Sequence, residues 1–426
     1  MDQPDDEPLP TGGLGALRHG DFRRYVAAGF LGGIAVQVQT VAVGWQVYSI
    51  SHRPLDLGLI GLSQFLPFVL LVLPAGQVAD RLDRRRILAA CYALLALGAL
   101  LLLGISLSGL RSTTPIFGIL VLAGVARAFS MPTSQALLPN LVPTSSFGNA
   151  VAISSSSSEI ASIAGPALGG LLFLVGAPVA YGVAAALLGV GSLLVLGVRR
   201  PAFTGLSEPI SVGATLAGLR FVFSRPVVLG SISLDLFAVL LGGATALLPA
   251  FASDVLRVGP AGLGLLRSAP AVGALLAASA VALWPLRRWV GGWMFGCVAL
   301  FGAATIVFGL SSSFPLSLAA LAVLGAADMI SVYIRHLLVQ LETPDAIRGR
   351  VSAVNAVFIG ASNELGEFES GISAALFGLV PAVLIGGAGT LLAAAVWARL
   401  FPDLRRLAAF PQPASGAERP AKGESG

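Results

Sequence analysis

The sequence predicts an all-α integral membrane protein with twelve transmembrane helices in two six-helix repeats. Three observations support this fold class. Of the 426 residues, 56% are hydrophobic and 11% are charged, whereas a soluble domain carries about 25% charged residues. Apolar stretches of the roughly 20 residues needed to cross a bilayer recur from Phe22 almost to Leu400. The longest internal connection separates two sets of six such stretches.

The apolar spans are bounded by polar, glycine-rich or basic residues. They are expected near 22–50, 57–78, 87–107, 115–133, 149–175 and 178–198, and then near 226–251, 261–284, 291–310, 317–340, 351–376 and 379–400.

The spans define five segments of the chain. They are an N-terminal cytoplasmic tail (1–20), a first six-helix bundle (21–198), a central cytoplasmic linker (199–225), a second six-helix bundle (226–400) and a C-terminal cytoplasmic tail (401–426). Two such bundles are typical of transporters whose halves rock around a central site. Within the linker, Ile210, Leu216, Leu219 and Phe221 are compatible with an amphipathic helix on the membrane surface or with a plain linker.

The arginines predict the orientation in the membrane, because positive residues stay in the cytoplasm during insertion. One set of turns holds only Arg53, Arg111 and Arg257. The other set holds Arg23, Arg24, Arg81, Arg84, Arg85, Arg86, Arg199, Arg200, Arg220, Arg225, Arg287, Arg288, Arg348, Arg350, Arg405 and Arg406. We therefore expect a multi-pass protein of the bacterial cytoplasmic membrane with both termini in the cytoplasm.

Composition also excludes several function classes. The isoelectric point near 9.8 does not indicate nucleic-acid binding, because the arginines lie between apolar spans and the sole lysine is Lys422. Cys91 and Cys297 lie inside spans, where neither a disulfide framework nor metal-ligand spacing is available. We find no phosphate-binding Gly-x-x-x-x-Gly-Lys-Ser loop, and we expect no metal and no cofactor.

The most specific motif is the loop between spans two and three, Gly76-Gln-Val-Ala-Asp80-Arg81-Leu-Asp83-Arg84-Arg85-Arg86. It resembles the loop signature of the major facilitator superfamily. The expected gating residues are Gly76, Asp80, Arg81, Arg84 and Arg85. A small Gly76 allows close helix approach, while Asp80 can hold arginines or a helix N-terminus in a latch that favours the outward-facing state. Asp83 replaces the glycine of the signature. The counterpart at Arg287 and Arg288 has no acidic partner.

Span five contains a second motif, with Gly165, Pro166, Gly169 and Gly170 in Ala161-Ser-Ile-Ala-Gly-Pro-Ala-Leu-Gly-Gly. It resembles the signature of the proton-antiporting branch of the same superfamily, with Ala161 in place of the first glycine. Such residues allow a bend and a tight helix contact. The resemblance favours efflux, and a packing role alone is the alternative.

Further segments resemble one subgroup, the enterobactin-exporter-like or macrolide-efflux-like transporters. They are Arg127 to Pro143, Asp328 to Arg335, Thr343 to Ala353 and Ser362 to Glu367. With the two motifs, the resemblance covers nearly the whole membrane region. It implies export of a small molecule, but members of the subgroup do not share one substrate.

Charges inside apolar spans are costly and mark functional sites by default. Here they are Arg127, Glu159, Asp235, Arg267, Asp328, Arg335 and Glu364. The major facilitator fold implies that spans one, four, seven and ten line the cavity. The expected cavity residues are Gln37, Gln39, Trp45, Arg127, Arg335 and Arg267.

Depth along the spans suggests two ion pairs, Asp235 with Arg335 and Arg127 with Glu159. Asp328 and Arg335 are seven residues apart on one helix face, about 10 Å, which is too far for a direct pair. Static pairs that clamp helices are the alternative to proton transfer.

An acid among apolar residues can load and release a proton near physiological pH. The proton-coupling candidates are Asp328, then Asp235 and Glu364, with Glu159 as a further one. Glu367 and Glu369 are expected nearer the outer end of span eleven, in contact with water.

These observations predict proton-coupled efflux of an amphipathic drug, macrolide-like compound or siderophore by a monomer in the lipid bilayer. The alternatives are nutrient or metabolite uptake by the same fold, and a non-transporting membrane sensor. A membrane-embedded enzyme is disfavoured, because the hydroxyls of Ser154 to Ser158 have no histidine in the same region.

Overall fold

The computed structural model describes residues 15–199, 219–286, 288–344 and 347–411, without a few side chains in the second and eleventh long helices, Asp80, Arg348 and Arg350 among them. The outer part of each predicted tail and most of the predicted linker lie outside these residues. Leu219 to Ser224, at the end of that linker, is helical and packs against the second half of the chain through Val222.

The described residues form twelve long helices and no strands. They are α1 (Gly20–Ser51), α2 (Pro54–Arg81), α3 (Arg84–Ser108), α4 (Thr114–Leu137), α5 (Phe147–Val175), α6 (Ala177–Leu196), α7 (Pro226–Leu241), α8 (Gly259–Leu283), α9 (Val290–Leu310), α10 (Phe314–Glu342), α11 (Arg348–Phe377) and α12 (Leu379–Leu400).

Local sequence explains where the helices begin and end. Pro54 and Pro226 occupy the first helical position of α2 and α7, where their missing N–H would have no partner. Gly109 ends α3 with φ 69°, and Gly378 joins α11 to α12 with φ 92°. Both need the backbone freedom of glycine.

Eleven of the described helical segments are long and apolar enough to cross a membrane. The span that begins with α7 continues through short helical turns to Val255. Helix α11 has the length but carries Glu364, Glu367 and Glu369, which lower its mean hydropathy. Each predicted span overlaps one long helix, so the all-α transmembrane fold is confirmed.

The two largest clusters of buried apolar residues join many of the helices. The first joins α1, α3, α4, α5 and α6 around fully buried residues such as Tyr181 and Leu188. The second joins α8, α9, α10, α12 and the end of the α7 span around Phe251 and Phe308, whose rings lie 4.8 Å apart. We refer to α1–α6 as the first half and α7–α12 as the second half.

The two halves touch at one membrane face. With twelve crossings, both described chain ends lie on one side, the terminal face, and α1 and α2 meet at the opposite, far face. A Cβ added to Gly264 in α8 would lie 2.4 Å from the Pro166 carbonyl oxygen in α5, and one added to Gly58 in α2 would lie 3.1 Å from the Phe368 Cα in α11. The Tyr48 hydroxyl donates to Asp254 Oδ2 at 2.5 Å. The far face is therefore closed.

Candidate functional site

A cavity with a volume of 430 Å³ lies inside the first half. Helices α1, α2, α3, α4 and α5 line it. Gln37, Gln39 and Arg127 lie on its wall together with Gln64 and Tyr92. The structure thus brings three of the predicted cavity residues together, and adds an amide and a phenol to an otherwise largely apolar surface.

Two more cavities adjoin the first one at Arg127. One has a volume of 400 Å³ and lies between α4, α10 and α11 toward the terminal face, with His336 and Asn355 on its wall. The other has a volume of 220 Å³ and lies toward the closed far face, with Arg267 and Glu367 on its wall. Arg127 lines all three cavities and therefore lies where they meet.

Arg127 is held between the two halves. Its Nη1 donates to Glu364 Oε1 in an ion pair from α4 to α11, and its guanidinium carbon lies 5.2 Å from the centre of the Phe68 ring. The predicted pair of Arg127 with Glu159 is therefore wrong. Glu159 lies half-buried on α5, and the partner of Arg127 comes from the other half of the chain.

Glu367 and Arg267 complete a cluster of four charges around the 220 Å³ cavity. Glu367 follows Glu364 by one helical turn, and its carboxylate lies against Gly61 of α2. Arg267 of α8 interacts electrostatically with Glu367. Glu367 was predicted nearer the outer end of the span and in contact with water; in the structure α2 packs against it and it lines this cavity. The spacing of one helical turn between Glu364 and Glu367 could have predicted that both belong to one cluster.

A second group of charges lies within the second half. The predicted pair of Asp235 and Arg335 is confirmed, since Arg335 Nη1 donates to Asp235 Oδ2 and both side chains are buried. Asp328 lies beside this pair, and with Asp235 it lines a small pocket against Cys297 and Ser331. Arg335, a predicted cavity residue, is 1% exposed and serves as an ion-pair partner in this conformation.

Trp45, another predicted cavity residue, packs against the apolar core of the second half. It therefore contributes to the contact between the halves near the far face.

The loop between α2 and α3 ties helices of the first half together. Arg84 Nη1 donates to the Ala136 carbonyl at the end of α4, at 3.0 Å, and Arg85 Nη1 donates to the Val198 carbonyl after α6, at 2.8 Å. Asp83 accepts from the Arg85 backbone N–H at 3.1 Å and so caps α3. The residue that departs from the glycine of the signature thus has a structural role. The Asp80 side chain lies outside the described residues.

The span-five motif forms the contact between α5 and α8. A Cβ at Gly170 would lie 2.4 Å from the Pro260 carbonyl oxygen, and one at Gly165 would lie 2.5 Å from Gln37 Cβ. The predicted tight contact is confirmed, and it joins the two halves as well as α1 and α5.

The fold and the central cavities define a membrane transporter of the major facilitator type. Residues 11–416 match the family described as transmembrane secretion effector, and the chain belongs to this family.

Curated relatives match over nearly their whole length. The chain is 26% identical over 408 residues to the enterobactin exporter EntS of Citrobacter koseri, covering 94% of this chain and 96% of the relative. It is 26% identical over 402 residues to EntS of Escherichia coli O1:K1, covering 92% and 94%.

Solved structures share the fold at low sequence identity. The nucleoside transporter NupG matches with a TM-score of 0.71 at 15% identity, covering 89% of this chain and 99% of that one. A bacterial homologue of the human lysosomal transporter Spinster, inward-facing and occupied, matches with 0.70 at 16% identity, covering 94% and 97%. An inward-facing bacterial homologue of the iron transporter ferroportin matches with 0.69 at 16% identity, covering 90% and 98%.

Proposed function

We propose that the protein exports a small amphipathic molecule from the cytoplasm, in exchange for protons, by alternating access. The protein works as a monomer without a cofactor in a bacterial cytoplasmic membrane, with both termini in the cytoplasm. The arginine distribution supports this orientation. The terminal face is then the cytoplasmic face, and the present conformation receives its substrate from inside.

The observation that carries the proposal is the Arg127–Glu364 pair, which links the halves where three cavities meet. Largely apolar walls with amide and aromatic groups suit an amphipathic guest. An ion pair between the two halves can break and re-form as the halves move. Substrate binding at Arg127 is therefore linked to the conformation of the transporter in this proposal.

Asp328 is the coupling acid in this proposal. It lines a pocket with Asp235 and lies in the neighbourhood of the Asp235–Arg335 pair, so a proton carried by Asp328 would balance the charge of a second carboxyl group near a single guanidinium. Glu364 is the second candidate, because it lies on the substrate path. Asp235 and Glu159 are weaker candidates. Asp235 is held in an ion pair by Arg335, and Glu159 does not pair with Arg127.

Alternating access requires the far-face contacts to open. The seams are α2 against α11 and α5 against α8, both closed here through glycines. Opening them while the terminal ends approach would expose the cavities to the outside. In this proposal the basic loop between α2 and α3, at the terminal face, stabilises that state.

The direction of transport is supported by the relatives named as enterobactin exporters and by the span-five motif. A siderophore, a drug or a macrolide-like compound is the proposed substrate. Uptake of a nutrient is the alternative within transport, and a sensor without transport is the alternative outside it.

The test is proton release from acidified inverted membrane vesicles, followed with a pH dye while antibiotics, dyes and siderophores are added. We expect a substrate-dependent signal that Asp328→Asn loses. Asp403→Asn, an exposed change at the terminal face, is the matched control and should keep the signal. Binding without any proton signal or flux would favour the sensor. Movement of a substrate out of the lumen together with protons would favour uptake, because the lumen of an inverted vesicle corresponds to the outside of the cell.

A further inference from the structure

Arg267 is a guanidinium in the membrane interior without a full set of partners. It lies in α8, near the α5–α8 seam. Its Nε is buried and has no hydrogen-bond partner among the residues that the structure describes. A buried donor left unpaired costs free energy, and a charged one costs more. An isolated packing role does not account for a guanidinium at this position.

Arg267 also lines an open space of suitable size. The 220 Å³ cavity is lined by Arg267, Arg127, Glu364, Glu367, Gln64 and Thr40, among others. It shares Arg127, Gln64 and Thr40 with the 430 Å³ cavity. A guest in the larger cavity can therefore extend a small polar group between the two guanidinium groups.

We propose that the 220 Å³ cavity is a subsite for an anionic oxygen group of the substrate, such as a carboxylate or an ionised phenol. Arg267 binds the group through its planar donor fork, and Arg127 contributes from the opposite half. Guanidinium matches such oxygens in a planar, two-point geometry. The aromatic or aliphatic body of the substrate lies against Tyr92 and Ile60 in the larger cavity.

The carboxylates of the cluster do not make it a cation site. Glu364 is already paired with Arg127, and Glu367 is packed against α2 and interacts with Arg267. The unsatisfied group is a donor, so the missing partner is an acceptor. That the bound anion belongs to a transported substrate rests on the proposed function. The binding of an anion can be tested without transport.

The test is isothermal titration calorimetry on the full chain in nanodiscs with three probes of one shape and different charge. They are naphthaleneacetate, naphthaleneethanol and naphthylmethyl-trimethylammonium. We expect the acetate to bind most tightly, and Arg267→Gln to weaken it by about tenfold or more while changing the alcohol little, because one charge-assisted contact is lost. Arg267→Lys should be intermediate, since it keeps the charge without the fork.

The controls separate binding from folding. Arg399→Gln removes an exposed arginine at the end of α12 and should leave all three affinities unchanged. Size-exclusion profiles and thermal unfolding report whether Arg267→Gln is folded.

Three results would overturn the proposal. They are no acetate binding at millimolar concentration, equal losses for acetate and alcohol in a folded variant, and unchanged binding of all probes, which would mean that Arg267 is satisfied by water. Charge-selective binding without proton exchange in vesicles would keep the subsite and reject proton coupling. Proton exchange that does not depend on Arg267 would keep proton coupling and reject the subsite.

Discussion

The buried pair of Asp235 and Arg335 offers a test at the scale of single residues. Removing one partner of a buried ion pair leaves the other charge uncompensated and costs about 3–5 kcal/mol. We expect Asp235→Asn and Arg335→Gln each to lower the thermal unfolding temperature strongly in detergent. The double variant should recover much of the loss.

An additive double variant would contradict this reading, because it would mean that the two side chains act independently. Arg399→Gln again serves as the control for loss of an arginine charge, and we expect it to leave the unfolding temperature unchanged.

Tyr48 offers a second residue-scale test, at the far-face closure. Its hydroxyl bonds to Asp254 across the halves, and a hydrogen bond to a charged group contributes about 1.5–3 kcal/mol. We expect Tyr48→Phe to increase the population with an open far face by about tenfold or more. Spin labels can be attached at Ser108→Cys and Ser312→Cys, which are exposed at the far ends of the two halves. We expect the distance between these labels to lengthen.

The matched control is Tyr25→Phe. Tyr25 bonds to Ser134 Oγ at 2.6 Å within the first half alone, so its loss should not change the spin-label distances. If both variants gave the same distance distribution, Tyr48 would have no role in the closure.

Sequence alone resolved one ion pair and missed the other for a physical reason. Asp235 and Arg335 lie at similar depth in helices of the same half, so counting residues from the span ends was sufficient. Arg127 and Glu364 lie in opposite halves, and their distance depends on how those halves are tilted. Glu159, at a similar depth and nearer in sequence, was the wrong choice for that reason.

At the scale of whole helices, a glycine at the contact between α5 and α8 provides a test. A Cβ on Gly170 would collide with the Pro260 carbonyl, and a backbone atom cannot move away as a flexible side chain could. We expect Gly170→Ala to separate α5 from α8 and to shift the same spin-label distances toward the far-face-open state.

Gly189→Ala on α6 is the control, since nothing lies within 4 Å of its added Cβ, and it should leave the distances unchanged. An unaltered distribution for Gly170→Ala, in a folded protein, would show that the α5–α8 seam tolerates expansion and does not limit the closure.

Helix borders and loop roles were only partly predictable from the sequence. Apolar length located every long helix, even α11, whose three glutamates make it the least apolar of the twelve. The capping role of Asp83 was not predicted, because the family signature has glycine at this position, and glycine has no side chain that could cap a helix. A side chain that accepts from the backbone two residues ahead depends on the local turn, which a motif comparison does not resolve.

At the scale of the whole molecule, the fold followed from composition and span count, while the conformation did not. An even number of apolar spans in two sets fits both open and closed arrangements. Which face is closed is decided by contacts such as Gly58 with Phe368 and Gly264 with Pro166. These join residues far apart in the chain, and no local pattern encodes their distance.

The anion subsite and proton exchange together predict how the transporter responds to voltage. An anion that leaves while one proton enters moves two elementary charges in the same electrical direction, each worth about 2.3 kcal/mol per 100 mV. In inverted vesicles without a pH gradient, we expect a lumen-positive potential, set with valinomycin and external potassium, to stimulate naphthaleneacetate accumulation. Vesicles with Arg267→Gln correct for passive entry. Voltage-independent accumulation would mean that a proton accompanies the anion, and exchange for protons would then be wrong even with the subsite intact.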